Sequence, residues 1–197
     1  MKIEYEATFI NINKDEIRKK LKEIGASLSK PEFLQRREVF DLPSGHQKEG
    51  AWLRVRDEGD KNTLSLKIIN GDKIEDQKEI SLMINDFEGA SEMLALVGCR
   101  RKAYQESKRE LWILNDVEIT IDEWPYLEPY VEIEGQSEES VKNVSHKMGF
   151  DYSKALFCSV DKLYEMKYGV PREIICHQMP KITFDDENPF LKLSIKK

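Results

Sequence analysis

The chain opens on an alternation. Ile3, Tyr5, Ala7 and Phe9 take one set of positions and Lys2, Glu4, Glu6 and Thr8 the other, the two-residue period of a strand over 2–9. The period then changes: Ile17, Leu21 and Ile24 fall on one stripe of a helix over about 14–25, with Asn11 or Asn13 as its cap and Gly25 as its stop. A strand follows over about 33–41, then a connection at 41–50. Strands over 51–57 and 63–69 flank a Gly-Asp turn, and NGDK at 70–73 turns the chain into a strand over about 75–84. Phe87, Met93, Leu94 and Val97 make the apolar stripe of a helix over 86–98 that Gly98 ends. Strands over about 100–112, 116–124 and 129–135 come next. They are followed by a helix over 137–149, starting at Ser137 and stopping at Gly149, and a last helix over 158–168. From Val170 onward no period is sustained, and that segment is expected to wrap the body with little regular structure.

This order does not suit a parallel doubly wound sheet. It predicts an α+β domain built on one large antiparallel sheet, and about eight strands are enough to close into a barrel. The polar positions of those strands carry same-sign pairs. Glu4 with Glu6, Arg54 with Arg56, and Glu132 with Glu134 sit two apart and share a strand face, as do Ser65 with Lys67 and Thr120 with Asp122. Behind the charged rows run Ile3 and Tyr5, Leu53 and Val55, Leu64 and Leu66, Val131 and Ile133. The solvated face of an amphipathic sheet explains the alternation alone. It does not explain like charges two apart, which repel unless a counter-charge lies between them. A closed sheet would turn the rows into a lumen in which Arg and Lys hold a polyphosphate and Mg²⁺ or Mn²⁺ bridges its oxygens to carboxylates. The apolar outer face would then lie under the helices.

Composition narrows the choice of partner. Lys and Arg number 31 against 37 Asp and Glu, a net charge of −6, which disfavours a nucleic-acid partner while leaving room for a local basic pocket. No apolar run approaches the ~20 residues of a membrane span. The opening MKIEYEATF lacks the apolar core of a leader, and Cys99, Cys158 and Cys176 are widely spaced and odd in number. A cytoplasmic protein with reduced thiols and no membrane partner is expected. Neither a Gly-x-Gly-x-x-Gly loop nor a P-loop is present. Trp52 shares a strand face with Arg54 and Arg56, where it either stacks on a base at one mouth or fills the barrel end.

The order and spacing of these pieces resemble the CYTH-domain proteins of the triphosphate tunnel metalloenzyme superfamily, which includes class IV adenylate cyclases and thiamine triphosphatases. Glu4 and Glu6 match the acids of that family's opening Glu-x-Glu-x-Lys strand. Arg54, Arg56 and Lys67 match its Arg-x-Arg strand and the strand ending in Lys, and Glu79 precedes a helix start at Asp86. Arg109 fits its basic strand; Asp122, Glu132, Glu134 and Gly135 fit its late Asp and its Val-Glu-Ile-Glu-Gly run. The likeness runs from residue 2 to about 168. It implies an eight-stranded antiparallel tunnel barrel with flanking helices over 1–169, wrapped by a C-terminal extension over 170–197. It also implies a small triphosphate-containing substrate and Mg or Mn, and it allows a homodimer.

By the same resemblance Arg54, Arg56, Lys67 and Arg109 contact the triphosphate, with Thr8 beside them. Glu4, Glu6, Asp122, Glu132 and Glu134 form the metal side, and Glu4, Glu6, Lys67 and Arg109 the catalytic set. Glu79 and Trp52 are secondary candidates, while Lys102 and Lys108 read as surface charges. Two positions depart from the family. Thr8 stands where it has a lysine, and Ser107 where many members carry a basic residue two before the Arg. Hydrolysis of inorganic tripolyphosphate or of a nucleoside or thiamine triphosphate is the first expectation. Cyclisation of ATP to cyclic AMP and pyrophosphate is one alternative; non-catalytic binding of a triphosphate or polyphosphate is the other.

Overall fold

The N-terminal alternation folds as two half-strands rather than one. In the computed structural model of the protein, which describes residues 1–193, β1 (Lys2–Ile3) and β2 (Tyr5–Phe9) are separated at Glu4. α1 (Lys14–Glu23) follows, then β3 (Ser27–Asp41), β4 (Ala51–Asp57), β5 (Asn62–Ile69), β6 (Gln77–Ile84), α2 (Phe87–Leu96), β7 (Arg100–Leu114), β8 (Val117–Glu123) and β9 (Tyr130–Gly135). Beyond them lie α3 (Glu138–Met148), α4 (Val160–Tyr168), α5 (Arg172–Gln178), β10 (Lys181–Ile182) and α6 (Phe190–Leu193).

The sheet runs β1-β6-β5-β4-β3-β7-β8-β9-β2 with antiparallel ladders throughout, and β10 joins β7 in parallel. β1 and β2 are consecutive pieces of one segment at opposite ends of that order, so the sheet curls into an antiparallel barrel. Counting those halves as one strand and leaving β10 outside, eight strands form the ring. The seam is narrow, since only Lys2 and Ile3 pair with β6. Gln77, fully buried, reinforces it: its carbonyl accepts from the Glu4 N–H (3.0 Å), and its side-chain amide donates to the Glu6 carbonyl (2.8 Å).

Local chemistry sets the element ends. Asn13 caps α1 by accepting from the Asp15 and Glu16 N–H groups. In the β4–β5 turn Gly59 takes φ +85°, which its missing Cβ permits, and its N–H donates to Asp57 Oδ1 at 2.7 Å. β3 starts at Ser27, well before the expected 33, with Pro31 inside it. Its register against β7 shifts between Lys30 and Phe33, the kind of irregularity where a strand tolerates a proline.

Packing is divided among three clusters. Ile17 and Leu21 of α1 and Val141, Val144 and Met148 of α3 cover Ala7, Phe9, Ile119, Ile121, Val131 and Ile133 on the outer face of β2, β8 and β9. Leu94 of α2 covers Phe40 and Val55. The expected helical cover is therefore partial, because Ile80 and Leu82 on β6 remain 43% and 57% exposed.

The extension departs from expectation more clearly, since it carries α5, β10 and α6. Val170, Ile175, Met179, Ile182 and Phe190 share one core with Trp124, Tyr130, Leu163 and Tyr164. Phe190 stacks on Tyr164 and Tyr168, with ring centroids 4.3 and 4.9 Å apart. Helices of seven and four residues are too short to show a helical period in sequence. The pairing of β7 with β8 begins only at Lys108, and β10 takes the open edge at Tyr104 and Gln105. The final four residues of the expected extension lie outside the described residues.

Candidate functional site

The ring encloses a cavity of about 2510 Å³, larger than the ~300–1,000 Å³ of an ordinary small-ligand pocket. Glu4, Glu6, Trp52, Arg54, Arg56, Lys67, Glu79, Arg109, Glu132 and Glu134 all line it. The two-residue phase read from the sequence therefore brings ten expected positions together from six strands and the break at Glu4.

On one side the acids gather. Glu6 lies directly across a ladder from Glu134, and an oxygen each of Glu4, Glu6 and Glu134 falls within 4.8 Å of the others. Lys67 reaches into the group, its Nζ 2.6 Å from Glu4 and 3.6 Å from Glu6. Burial, strengthened by Glu6 and Glu4, pushes the Glu134 carboxyl up to about 8. Burial likewise raises Glu6, and burial with Glu6 and Asp122 holds Glu132 well above the usual carboxylate range. Glu4 goes the other way: burial pushes it up, but Lys67 and then Arg54 outweigh that and hold it low. A set of carboxylate oxygens with protons to give up suits a hard divalent cation.

On the other side the guanidiniums gather. Arg54 Nη2 lies 3.3 Å from Glu79 Oε1, and Arg56 Nη2 lies 2.6 Å from Glu58 Oε1. Burial and then repulsion from Arg54 lower Arg56 to about 10. The Nε–H groups of Arg37, Arg54 and Arg56 are buried with no acceptor. Orphaned donors on buried cations are what an anion site looks like before its anion arrives.

Some placements correct the sequence reading. Asp122, expected on the metal side, is fully buried behind Arg109. It accepts from Arg109 Nε (2.7 Å) and Nη2 (2.9 Å) and from the Thr120 hydroxyl (2.6 Å), so it positions the guanidinium. Glu132 accepts from the same Nη2 at 2.5 Å. Burial opposes the Arg109 charge, but Asp122 and Glu132 more than offset it. Thr8, expected beside the triphosphate, is buried in a ladder: its backbone exchanges hydrogen bonds with Leu156 (2.9 and 3.0 Å). Leu156, Phe157 and Cys158 line the cavity and Thr8 does not. Lys102, read as a surface charge, lines the cavity and pairs with Asp41 at 3.2 Å. A register shift of β3 against β7 between Val39 and Phe40 skips Lys102 and reverses the phase of the strand there. Lys108 stays outside, near Glu123 (3.9 Å).

Arg37 on β3 was not singled out by sequence. The available signal was its parity, since Phe33, Arg37, Val39 and Asp41 all line the cavity.

The CYTH domain family profile matches residues 2–164. This chain belongs to the CYTH family. No curated protein is matched by the sequence. Among solved structures, the PH1012 protein of Pyrococcus horikoshii is similar at 23% identity and a TM-score of 0.64, over 77% of this chain and 93% of that one. A candidate adenylate cyclase of Vibrio parahaemolyticus is similar at 14% identity and a TM-score of 0.71, over 82% and 97%. A Hippeastrum protein, a candidate adenylyl cyclase with a dominant triphosphatase activity, is similar at 15% identity and a TM-score of 0.54, over 88% and 99%. At these identities the likeness is one of fold, and it agrees with the CYTH barrel built above. Among the described residues no helix is long and apolar enough to cross a membrane.

Proposed function

We propose that this CYTH protein is a metal-dependent hydrolase of a small triphosphate, acting on its terminal phosphate within the barrel. The observation that carries the reading is the meeting of unmet cationic donors and a carboxylate cluster in one cavity. Three buried guanidiniums with unmet Nε–H donors share it with three carboxylates close enough to bind one cation. Phosphoryl transfer asks a protein mainly for positioning and charge neutralisation, and this lining is suited to both. Arg54 and Arg56 would hold phosphate oxygens by their forked donors. Arg109, fixed by Asp122 and Glu132 through Nε and Nη2, would present its remaining Nη1 donors without having to reorganise. Lys67 would stand between phosphate and acids as a compact charge. Glu4, Glu6 and Glu134, with Glu132 beside them, would hold Mg or Mn, which when bound neutralises charge on the phosphate oxygens. The free thiols at Cys99, Cys158 and Cys176 agree with a cytoplasmic setting.

One observation favours a second reading, cyclisation of ATP. Trp52 lines the same cavity and offers an aromatic face for a base. Phosphorus NMR of reactions with Mg²⁺ or Mn²⁺ and tripolyphosphate, ATP or thiamine triphosphate separates the readings. Orthophosphate is expected, with tripolyphosphate cleaved at least as well as ATP, because the charged contacts all suit phosphate. Cyclic AMP with pyrophosphate would replace the hydrolase reading by the cyclase one; tight binding without either product would replace it by a binder.

A further inference from the structure

Among the described residues, one buried cation of the lining has no acid of its own. Arg54, Arg56 and Arg109 each have a carboxylate within ion-pair distance, whereas among the described residues no ion pair involves Arg37. Arg37 is 5% exposed; its guanidinium stands over the Trp124 ring at 4.3 Å from the centroid and keeps its Nε–H buried without an acceptor. Its Nη2 donates to Gln35 Oε1 at 2.8 Å and to the Ser107 hydroxyl, and that hydroxyl donates to the same Gln35 oxygen at 3.2 Å. These neutral partners aim the group without neutralising it. Directly across the β3–β4 ladder lies Arg56, a like charge in the position where like charges are most costly. Burial first, then Arg56, Arg54 and Arg109, all act against the Arg37 charge. Guanidinium keeps its proton regardless, so the charge is left uncompensated.

Where this guanidinium sits is informative. It touches Ser107, the neutral residue two before Arg109 on β7. β3 thus delivers a cation to a stretch of wall that β7 leaves neutral. We propose that Arg37 is a phosphate-binding residue of the cavity and sets its preference for three linked phosphates over two, holding the phosphate that lies away from the carboxylates. The assignment rests on the triphosphate reading above and goes beyond it in naming the residue that measures phosphate number.

The test is calorimetric binding of tripolyphosphate and pyrophosphate with Mn²⁺ present, to the unaltered protein, to Arg37→Gln and to Arg37→Gln with Ser107→Lys. The unaltered protein should prefer tripolyphosphate. Arg37→Gln should weaken tripolyphosphate by about 10- to 100-fold, the value of one charge-assisted contact, while pyrophosphate changes little. Lysine at 107 should restore much of the loss. Thermal melts without anion give a second readout. Replacing an uncompensated buried cation should leave the melting temperature unchanged or raise it, whereas loss of a structural arginine would lower it. If the unaltered protein binds neither anion, the triphosphate reading itself fails. If it binds tripolyphosphate and Arg37→Gln binds it equally well, or melts markedly lower without rescue by Ser107→Lys, the assignment of Arg37 is wrong while the triphosphate reading stands.

Discussion

Glu6 faces Glu134 across one ladder and Arg37 faces Arg56 across another, and both pairings run against the usual avoidance of like charges on adjacent strands. The sequence displayed one half of this, because Glu4 with Glu6, Arg54 with Arg56 and Glu132 with Glu134 repeat at the strand period. It could not display which strand lies beside which, so the Arg37–Arg56 pairing and the placing of Asp122 behind Arg109 emerge only in three dimensions. Glu134 gives a residue-scale prediction. Its carboxyl sits at about 8 against an ordinary 4.5, so the folded, metal-free protein holds that proton more tightly than the unfolded chain. Metal-free stability should therefore fall as pH rises from 4.5 towards 8, and Mg²⁺ should restore it. Because cation and proton compete, Mg²⁺ affinity should drop by about tenfold or more per pH unit below that value. Calorimetry at neutral pH in two buffers of different ionisation enthalpy should show proton release on Mg²⁺ binding, and Glu134→Gln should reduce it. Equal heats in both buffers would contradict the carboxylate assignment.

Elements were legible where the pattern was long and unbroken. The β4–β5 hairpin, α3 with its Ser137 cap and Gly149 stop, and β9 lie within a residue or two of their expected ranges. Besides the early start of β3, three features escaped, each for a physical reason. β1 and β2 read as one strand, because a change of partner at Glu4 leaves the alternation intact. The bulge that turns Lys102 inward is a feature of pairing, invisible to the period of β7 alone. α5, β10 and α6 are too short to carry a pattern and are held by tertiary contacts. Their contribution is testable through Phe190, which is fully buried and stacked between Tyr164 and Tyr168. Phe190→Ala should cost about 3–5 kcal/mol in urea unfolding, as for other buried aromatic truncations. A loss below about 1 kcal/mol, the scale of ordinary surface substitutions, would mean that the extension is not joined to the barrel core.

At the scale of the whole molecule, the antiparallel barrel gathers charges of both signs from distant parts of the chain into one lining. Helices α1, α2 and α3 bury much of its outer face, so the strands can give their inner positions to chemistry. The carboxylate cluster makes the metal-free cavity a poorer host for a bare anion, and the unmet guanidinium donors make the anion-free cavity a poorer host for a bare cation. Cation and triphosphate should therefore bind as a couple. The most direct measurement is the tripolyphosphate dissociation constant with Mg²⁺ and with chelator, together with the Mg²⁺ constant with and without tripolyphosphate. Each ligand should tighten the other, on the order of 10- to 100-fold, and by the same factor in both directions once the Mg²⁺–tripolyphosphate complex in free solution is accounted for. Tripolyphosphate affinity indifferent to Mg²⁺ would contradict a cavity built to hold both.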